Sequence, residues 1–533
     1  MVNVSDFFRN VARNGAGLFV KDVRVQIDHL HVRNNVAGDD LTGGNGGGIL
    51  FEQASVHAMG DLHIQGNRAF ERGGGLLVSQ GSSLQLRTGL RFVVQNNSAM
   101  IGGGIEIMSS LMDVFIDFEI SNNSALVSGG GAAITSGVLN ITSGGKICGN
   151  SAGNLGGGVH LEVSSTFSSK KDVEISGNSA NFGGGFSAVS SSILALDSGT
   201  LVRNNMATSL GGGVYIATQS TVHAVGLVRI AGNKALAGGG IFARDGIVGL
   251  RFGANVSNNL AENTGGGIAM ARSKLVVGQK SSINDNRATR QGGGVVLVES
   301  KFECKDSHLD GNHASSGGAL FLTESEAALH TCTLHGNAAV SQSCASNQKE
   351  CGGGGLLASS SSILLHNSSL RNNTAGIQGR GGAMLLSEAA VLNLTDTVIS
   401  GNVAGGNGGG VATLLGSSMF ASGLQMRDNL AGNHGGALFC GSATRLLLGG
   451  RSVVERNTAG LDGGAIYSLS DIMLTQGGQT TLRKNSAREG TGGALAVMES
   501  ALRMAREHTL DASDNSAGKD GGAVALLGGA ALY

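Results

Sequence analysis

The sequence predicts an all-β fold, a right-handed parallel β-helix solenoid of about 19 coils of about 28 residues. Three observations predict it. A short motif recurs along the whole chain, the 533 residues contain no proline, and 91 of them are glycine. Proline cannot donate to a ladder, so its absence suits strands that are paired on both edges. Glycine without a Gly-X-Y period and without proline excludes a collagen helix.

The motif is set by an asparagine with alanine two residues on. It occurs at Asn10, Asn35, Asn67, Asn97, Asn123, Asn150, Asn178, Asn205, Asn233, Asn259, Asn286, Asn312, Asn337, Asn373, Asn402, Asn429, Asn457, Asn485 and Asn515. Sixteen of the 18 intervals between these positions are 25–30 residues long. Three residues before each asparagine stands a large apolar residue such as Ile120, Ile147 or Ile175, with Ala512 the exception. A Gly-Gly-Gly or Gly-Gly-Ala triplet follows after a short variable stretch, with Gly15-Ala16-Gly17 standing in for it in the first copy.

Each part of the motif has a physical reading. In residues 171–200, "VEI", "FSAV" and "ILAL" are three β-prone runs bounded by turn residues, and each is expected to pair with its counterpart one coil away, at about 4.8 Å. The asparagines, from Asn97 through Asn123, Asn150, Asn178, Asn205, Asn233, Asn259 and Asn286 to Asn312 and beyond, are expected to adopt the left-handed conformation at a turn and to hydrogen-bond to one another as a structural ladder. The alanine packs inward where the turn is tight. The third place of the triplet accepts alanine in six copies, so it requires a small residue but not a positive φ; the first two places require unusual angles or close approach. A phosphate-binding loop would occur once and continue with Lys and Ser or Thr, whereas these triplets lead into strand sequences.

Composition is even from end to end, and residues 1–533 are read as one continuous repeat domain, a fragment of a longer protein. With 37 basic and 38 acidic residues the net charge is −1, which gives no basic face for nucleic acid. No run reaches the roughly 18 apolar residues of a transmembrane segment, and residues 1–20 contain no signal-peptide core.

The alternation of motifs resembles the passenger repeats of the chlamydial polymorphic outer membrane proteins, which combine Gly-Gly-Ala-[Ile/Leu/Val] with Phe-x-x-Asn. "GGAL" at 317–320, 435–438 and 492–495, "GGAI" at 463–466 and "GGAV" at 521–524 match the first element, and Phe7–Asn10 matches the second. Most copies depart from it, with Gly-Gly-Gly in the first element and Ile, Val or Leu in place of Phe in the second. The resemblance implies a pectin-lyase-like β-helix and an adhesin-like passenger at the cell surface or outside the cell, binding a surface protein or a glycan.

The rival reading is a carbohydrate-active β-helix enzyme, a polysaccharide lyase or hydrolase. The polygalacturonase signatures Asn-Thr-Asp, Gly-His-Gly and Arg-Ile-Lys are absent, and Asp39-Asp40 is the one Asp-Asp pair. No catalytic residue, cofactor site or metal site is assigned. His313 and His434 read as solvated turn residues. Two copies lengthen the turn before the glycines, "GDDLTGGN" at 38–45 and "VSQSCASNQKEC" at 340–351; insertions on one edge of a solenoid mark a candidate binding face, and the alternative is tolerated loop drift. Cys344 and Cys351 are the expected disulfide, closing the second insertion. Cys304 and Cys332, whose offsets from the following asparagine differ by three, are not expected to stack.

Overall fold

The computed structural model describes residues 5–87, 91–340 and 351–533. The chain is an all-β parallel solenoid of about 19 turns of about 27 residues. It divides into two compact units, Met1–Glu262 and Asn263–Tyr533.

Each coil carries four strands rather than three. One coil of the first unit runs Gly145–Cys148, Ser151–Ala152, Val159–Glu162 and Thr166–Ser169. The extra strand is the short one just after the motif asparagine, two residues long here, too short to leave a period in the sequence. Counting from the strand before the asparagine, the four series form a first, second, third and fourth sheet. Register is kept from coil to coil in the first, third and fourth sheets, and shifts in places in the second, as between Ala99 and Ile101 and between Ala180 and Phe182. In the first unit Ile120, Ile147, Ile175, Val202 and Ile230 lie directly over one another in the first sheet, all buried. In the second unit Ile283, Leu309, Leu334, Leu370 and Ile399 do the same. The alanines two residues after each asparagine form their own buried clusters, such as Ala125, Ala152 and Ala180.

The asparagines form a hydrogen-bonded ladder in each unit. Asn150 donates to Asn178 Oδ1 twice, from its backbone N–H at 2.9 Å and from Nδ2 at 3.0 Å. A second Nδ2 hydrogen of Asn150 goes to the Ile120 carbonyl. The pattern repeats through Asn97, Asn123, Asn178, Asn205 and Asn233 to Asn259, and in the second unit from Asn286 through Asn312 and Asn337 to Asn515. These amides, apart from the half-buried Asn515, are buried, with both Nδ2 hydrogens used and Oδ1 accepting two bonds, which is what makes their burial tolerable. The left-handed conformation expected of them belongs instead to the residue before: Asn96, Asn122 and Asn204 have φ near +55°, and Gly149 and Gly177 occupy the same place. That inversion points the following side chain along the stack.

A second ladder, of serines, leaves no mark in the motif. At the corner between the third and fourth sheets, Ser82 N–H donates to Ser110 Oγ, Ser165 to Ser192 and Ser192 to Ser220. In the second unit the same bonds join Ser273, Ser300, Ser325 and Ser361. Each buried corner N–H thereby gains an acceptor.

The glycine triplet separates into three roles. Gly156 has φ +62°, and a Cβ there would sit 2.4 Å from the Val159 carbonyl oxygen. A Cβ on Gly157 would meet the Ser179 carbonyl oxygen of the next coil at 2.3 Å. Gly158 has an ordinary φ, but a Cβ there would lie 2.5 Å from the Gly185 carbonyl oxygen, so the coils must shift to admit one; its counterpart one coil earlier, Gly131, shares its N–H between the Gly157 and Gly158 carbonyls. Where alanine takes the third place, as at Ala465, the N–H goes to the Ala494 carbonyl. Gly156→Ala and Gly157→Ala are each expected to cost about 2–3 kcal/mol in urea unfolding, and Gly158→Ala about 1 kcal/mol. Equal losses at all three positions would contradict the assignment.

Candidate functional site

The third sheet is buried on both faces. In the strand Val295–Val298, Val295 and Leu297 face one way and Val296 the other, and all three are buried. The row through Val296 continues as Phe321, Leu357, Leu385, Ala412, Phe439, Tyr467 and Ala496, an outer apolar cluster in the second unit. The left-handed first glycine folds the residue before it back over this row. His434, just before Gly435, lies 4.5 Å from the Tyr467 ring, and in the first unit Phe182 lies 5.3 Å from Tyr215. His434 is therefore a packed residue, with Nδ1 3.2 Å from Asp462 Oδ2, and not the solvated one the sequence suggested; burial lowers its pKa. His313 is exposed.

In the first unit the same row carries a polar interruption. Leu50 and Leu77 are followed by Glu106, Ala133, His160 and Ser187, and then by Tyr215. Glu106 has no exposed side chain and is paired with Arg72, the residue before Gly73. Its other oxygen, Oε2, is buried and has no hydrogen-bond partner. Burial pushes the Glu106 carboxyl up to about 7, against the pull of Arg72. Two coils on, His160 Nδ1 is 2.6 Å from Ser187 Oγ, and Nε2 lies 3.6 Å from Glu162 Oε2. The neighbouring His160 side chain holds the Glu162 carboxyl below its usual range. The signal was present in the sequence: Glu and His stand second after the triplet in "GGGIEI" and "GGGVHLE", where most other coils have Leu, Ala, Phe, Tyr or Val.

The 38–45 insertion shapes the outside of this unit. Asp39 Oδ1 accepts from the N–H groups of Leu41 and Thr42 and from the Thr42 hydroxyl, fixing the turn. On one side of the insertion is a hollow of about 620 Å³ bordered by Leu41, Arg68, Phe70, Met100 and Leu126. On the other is a hollow of about 350 Å³ over the third sheet, bordered by Asn45, Glu52, Arg72, Leu77 and Ser79. Glu71 borders both.

The ladder asparagines are saturated with protein hydrogen bonds and present nothing to a ligand. Cys344 and the body of the 340–351 insertion lie outside the described residues, and with them the expected Cys344–Cys351 pair. Cys304 and Cys332 form a disulfide, Cα–Cα 6.4 Å, contrary to expectation. They are indeed out of register, since Cys304 pairs along the ladder with Leu329. Cys332, three residues further on, sits at the corner that Ser307 and Ser368 occupy in neighbouring coils, and both cysteines are buried, so the bond cuts diagonally across the corner. Cys440 is a free buried thiol, pushed up to about 11 by burial. Among the described residues, no three His, Cys, Asp or Glu side chains converge as metal ligands.

No protein-family model matches the chain, and no curated protein matches it.

Proposed function

We propose that this solenoid is a non-enzymatic, adhesin-like passenger, exposed at the cell surface or extracellular, that binds a surface protein or a glycan. The observation that carries the reading is where the irregularity falls. The coil interiors are regular and saturated by the asparagine and serine ladders, while hollows large enough for a ligand lie outside, against an insertion the coil does not need. Two further features support it. The Cys304–Cys332 disulfide suits an oxidising compartment. The Gly-Gly-Ala-x and Phe-x-x-Asn elements resemble polymorphic outer membrane protein repeats and, through them, a pectin-lyase-like β-helix.

A carbohydrate-active enzyme is the second reading, favoured by Glu106 and Glu162, two carboxyls whose surroundings move their pKa values apart. The raised one is wholly buried, so it offers a substrate no proton.

Beads coated with the purified chain are expected to adhere saturably to cell monolayers, with soluble chain competing. Adhesion no better than that of albumin-coated beads would overturn the binding reading. Release of reducing ends or unsaturated uronates from a polysaccharide panel would replace binding with catalysis.

A further inference from the structure

We propose that the Gly38–Asn45 insertion builds an oligosaccharide site on the first unit, selective for sugars without acidic groups. One ring lies in the smaller, polar hollow and its neighbour lies against the apolar border of the larger one. The proposal deepens the glycan-binding reading above and rests on it.

The smaller hollow asks for a ligand that donates. Asn45 Nδ2 donates to Glu71 Oε2 at 3.2 Å, which fixes the amide orientation. That leaves Asn45 Oδ1 as an acceptor, shielded from solvent and without a hydrogen-bond partner. Glu52 and Glu71 add carboxylate oxygens, and Asn14, Gln80 and Ser109 add neutral groups that both donate and accept. A sugar hydroxyl does both at once, so a ring with several hydroxyls matches this mixture. A lysine head could donate to the carboxylates and to Asn45 Oδ1 but, having no acceptor, would leave the donors of Asn14, Gln80 and Ser109 unmet. At about 350 Å³ the hollow is in the lower range of small-molecule sites.

Charge decides which sugars fit. The two hollows are bordered by Asp39, Asp40, Glu52 and Glu71 against Arg68 and Arg72. Arg72 is already paired with Glu106, and the Arg68 guanidinium lies over the Phe70 ring at 4.2 Å. A uronate or sulfated sugar would bring like charge to four carboxylates, with Arg68 the one bordering guanidinium not already held by a carboxylate. The larger hollow supplies what the carbon face of a sugar ring needs: the exposed Met100 and Leu126 and the highly exposed Leu41. Because Glu71 borders both hollows, one short chain of sugars can reach from one to the other.

The test is titration calorimetry of the whole chain with neutral trisaccharides built of glucose, galactose, mannose or N-acetylglucosamine, with trigalacturonate and trilysine alongside. At least one neutral trisaccharide is expected to bind saturably, and trigalacturonate about tenfold or more weaker. Asn45→Leu is expected to weaken binding about tenfold by leaving Glu71 and a ligand hydroxyl unpaired. Leu41→Ser, at an exposed tip that the fold does not use, is expected to weaken it about threefold with an unchanged melting temperature. No binding of any neutral trisaccharide would overturn the site, as would equal or tighter binding of trigalacturonate, binding of trilysine alone, or full affinity in both variants. Bead adhesion by a wild-type chain that binds none of the sugars overturns this site and leaves the adhesive reading standing; absent bead adhesion overturns that reading itself.

Discussion

Asn178→Leu, in the middle of the first unit, is expected to lower the unfolding free energy by about 4 kcal/mol, the largest effect of a single side chain in the ladder. The size follows from what is left behind. Asn178 Oδ1 accepts from the Asn150 backbone N–H and from Asn150 Nδ2, and its own Nδ2 donates to the Ile147 carbonyl and to Asn205 Oδ1. Leucine fills a similar volume and supplies none of these. Two donors on Asn150 are then stranded in a region with no exposed surface, at about 1–3 kcal/mol for each unsatisfied group. Asn178→Asp should be no milder. A carboxylate can accept both Asn150 bonds but turns an oxygen toward the Ile147 carbonyl and Asn205 Oδ1, setting acceptor against acceptor in a buried place. Ser192→Ala, which strands the single Ser165 N–H of the other ladder, should cost about 1 kcal/mol. Urea unfolding of the three variants tests the order. If Asn178→Leu matches Ser192→Ala, the asparagines do not carry the stability that their bonding implies.

Sequence alone went furthest where a constraint repeats in every coil. The asparagine spacing, the inward Ile and Val positions and the tolerance for alanine at the third glycine place are legible because about 19 copies sample the same requirement. The left-handed angle falls one residue before the motif asparagine expected to hold it. The clue was the Gly, Asn or Asp standing just before it in most copies, as at Gly149, Asn122 and Asp285, and those are the residue types that tolerate positive φ. The serine ladder repeats too, but serine is common enough in the chain to hide it. The Cys304–Cys332 bond could not be found by matching offsets, because a disulfide spans a corner as readily as a rung. The two hollows were least legible. They depend on how Gly38–Asn45 turns over the strands of later coils, and no periodicity encodes that.

The stability of the first unit should fall as pH rises from 5 to 8, and Glu106 should be the cause. A carboxyl raised from 4.5 to about 7 binds its proton more tightly in the folded chain than in the unfolded one. Its contribution is therefore fully present below pH 4.5 and is lost as pH rises through 7. The loss is about 3 kcal/mol, since each pH unit between those two values is worth about 1.36 kcal/mol and solvent does not screen a side chain that is wholly buried. Arg72 moderates the loss by attracting the ionised form, but Oε2 has no partner to offset its burial. Glu162 acts in the opposite window, since its lowered carboxyl loses stability only as pH falls below the ordinary range. Glu106→Gln keeps an oxygen for Arg72 and cannot ionise. Its unfolding free energy is expected to lose this fall between pH 5 and 8, leaving the slight rise that His63, whose pKa burial lowers, contributes, so that it equals or exceeds the parent at pH 8 and not at pH 5. Urea titrations of parent and variant at several pH values give the two slopes. A fall that survives in Glu106→Gln would assign the titration to another group and leave Glu106 paired as an ordinary carboxylate.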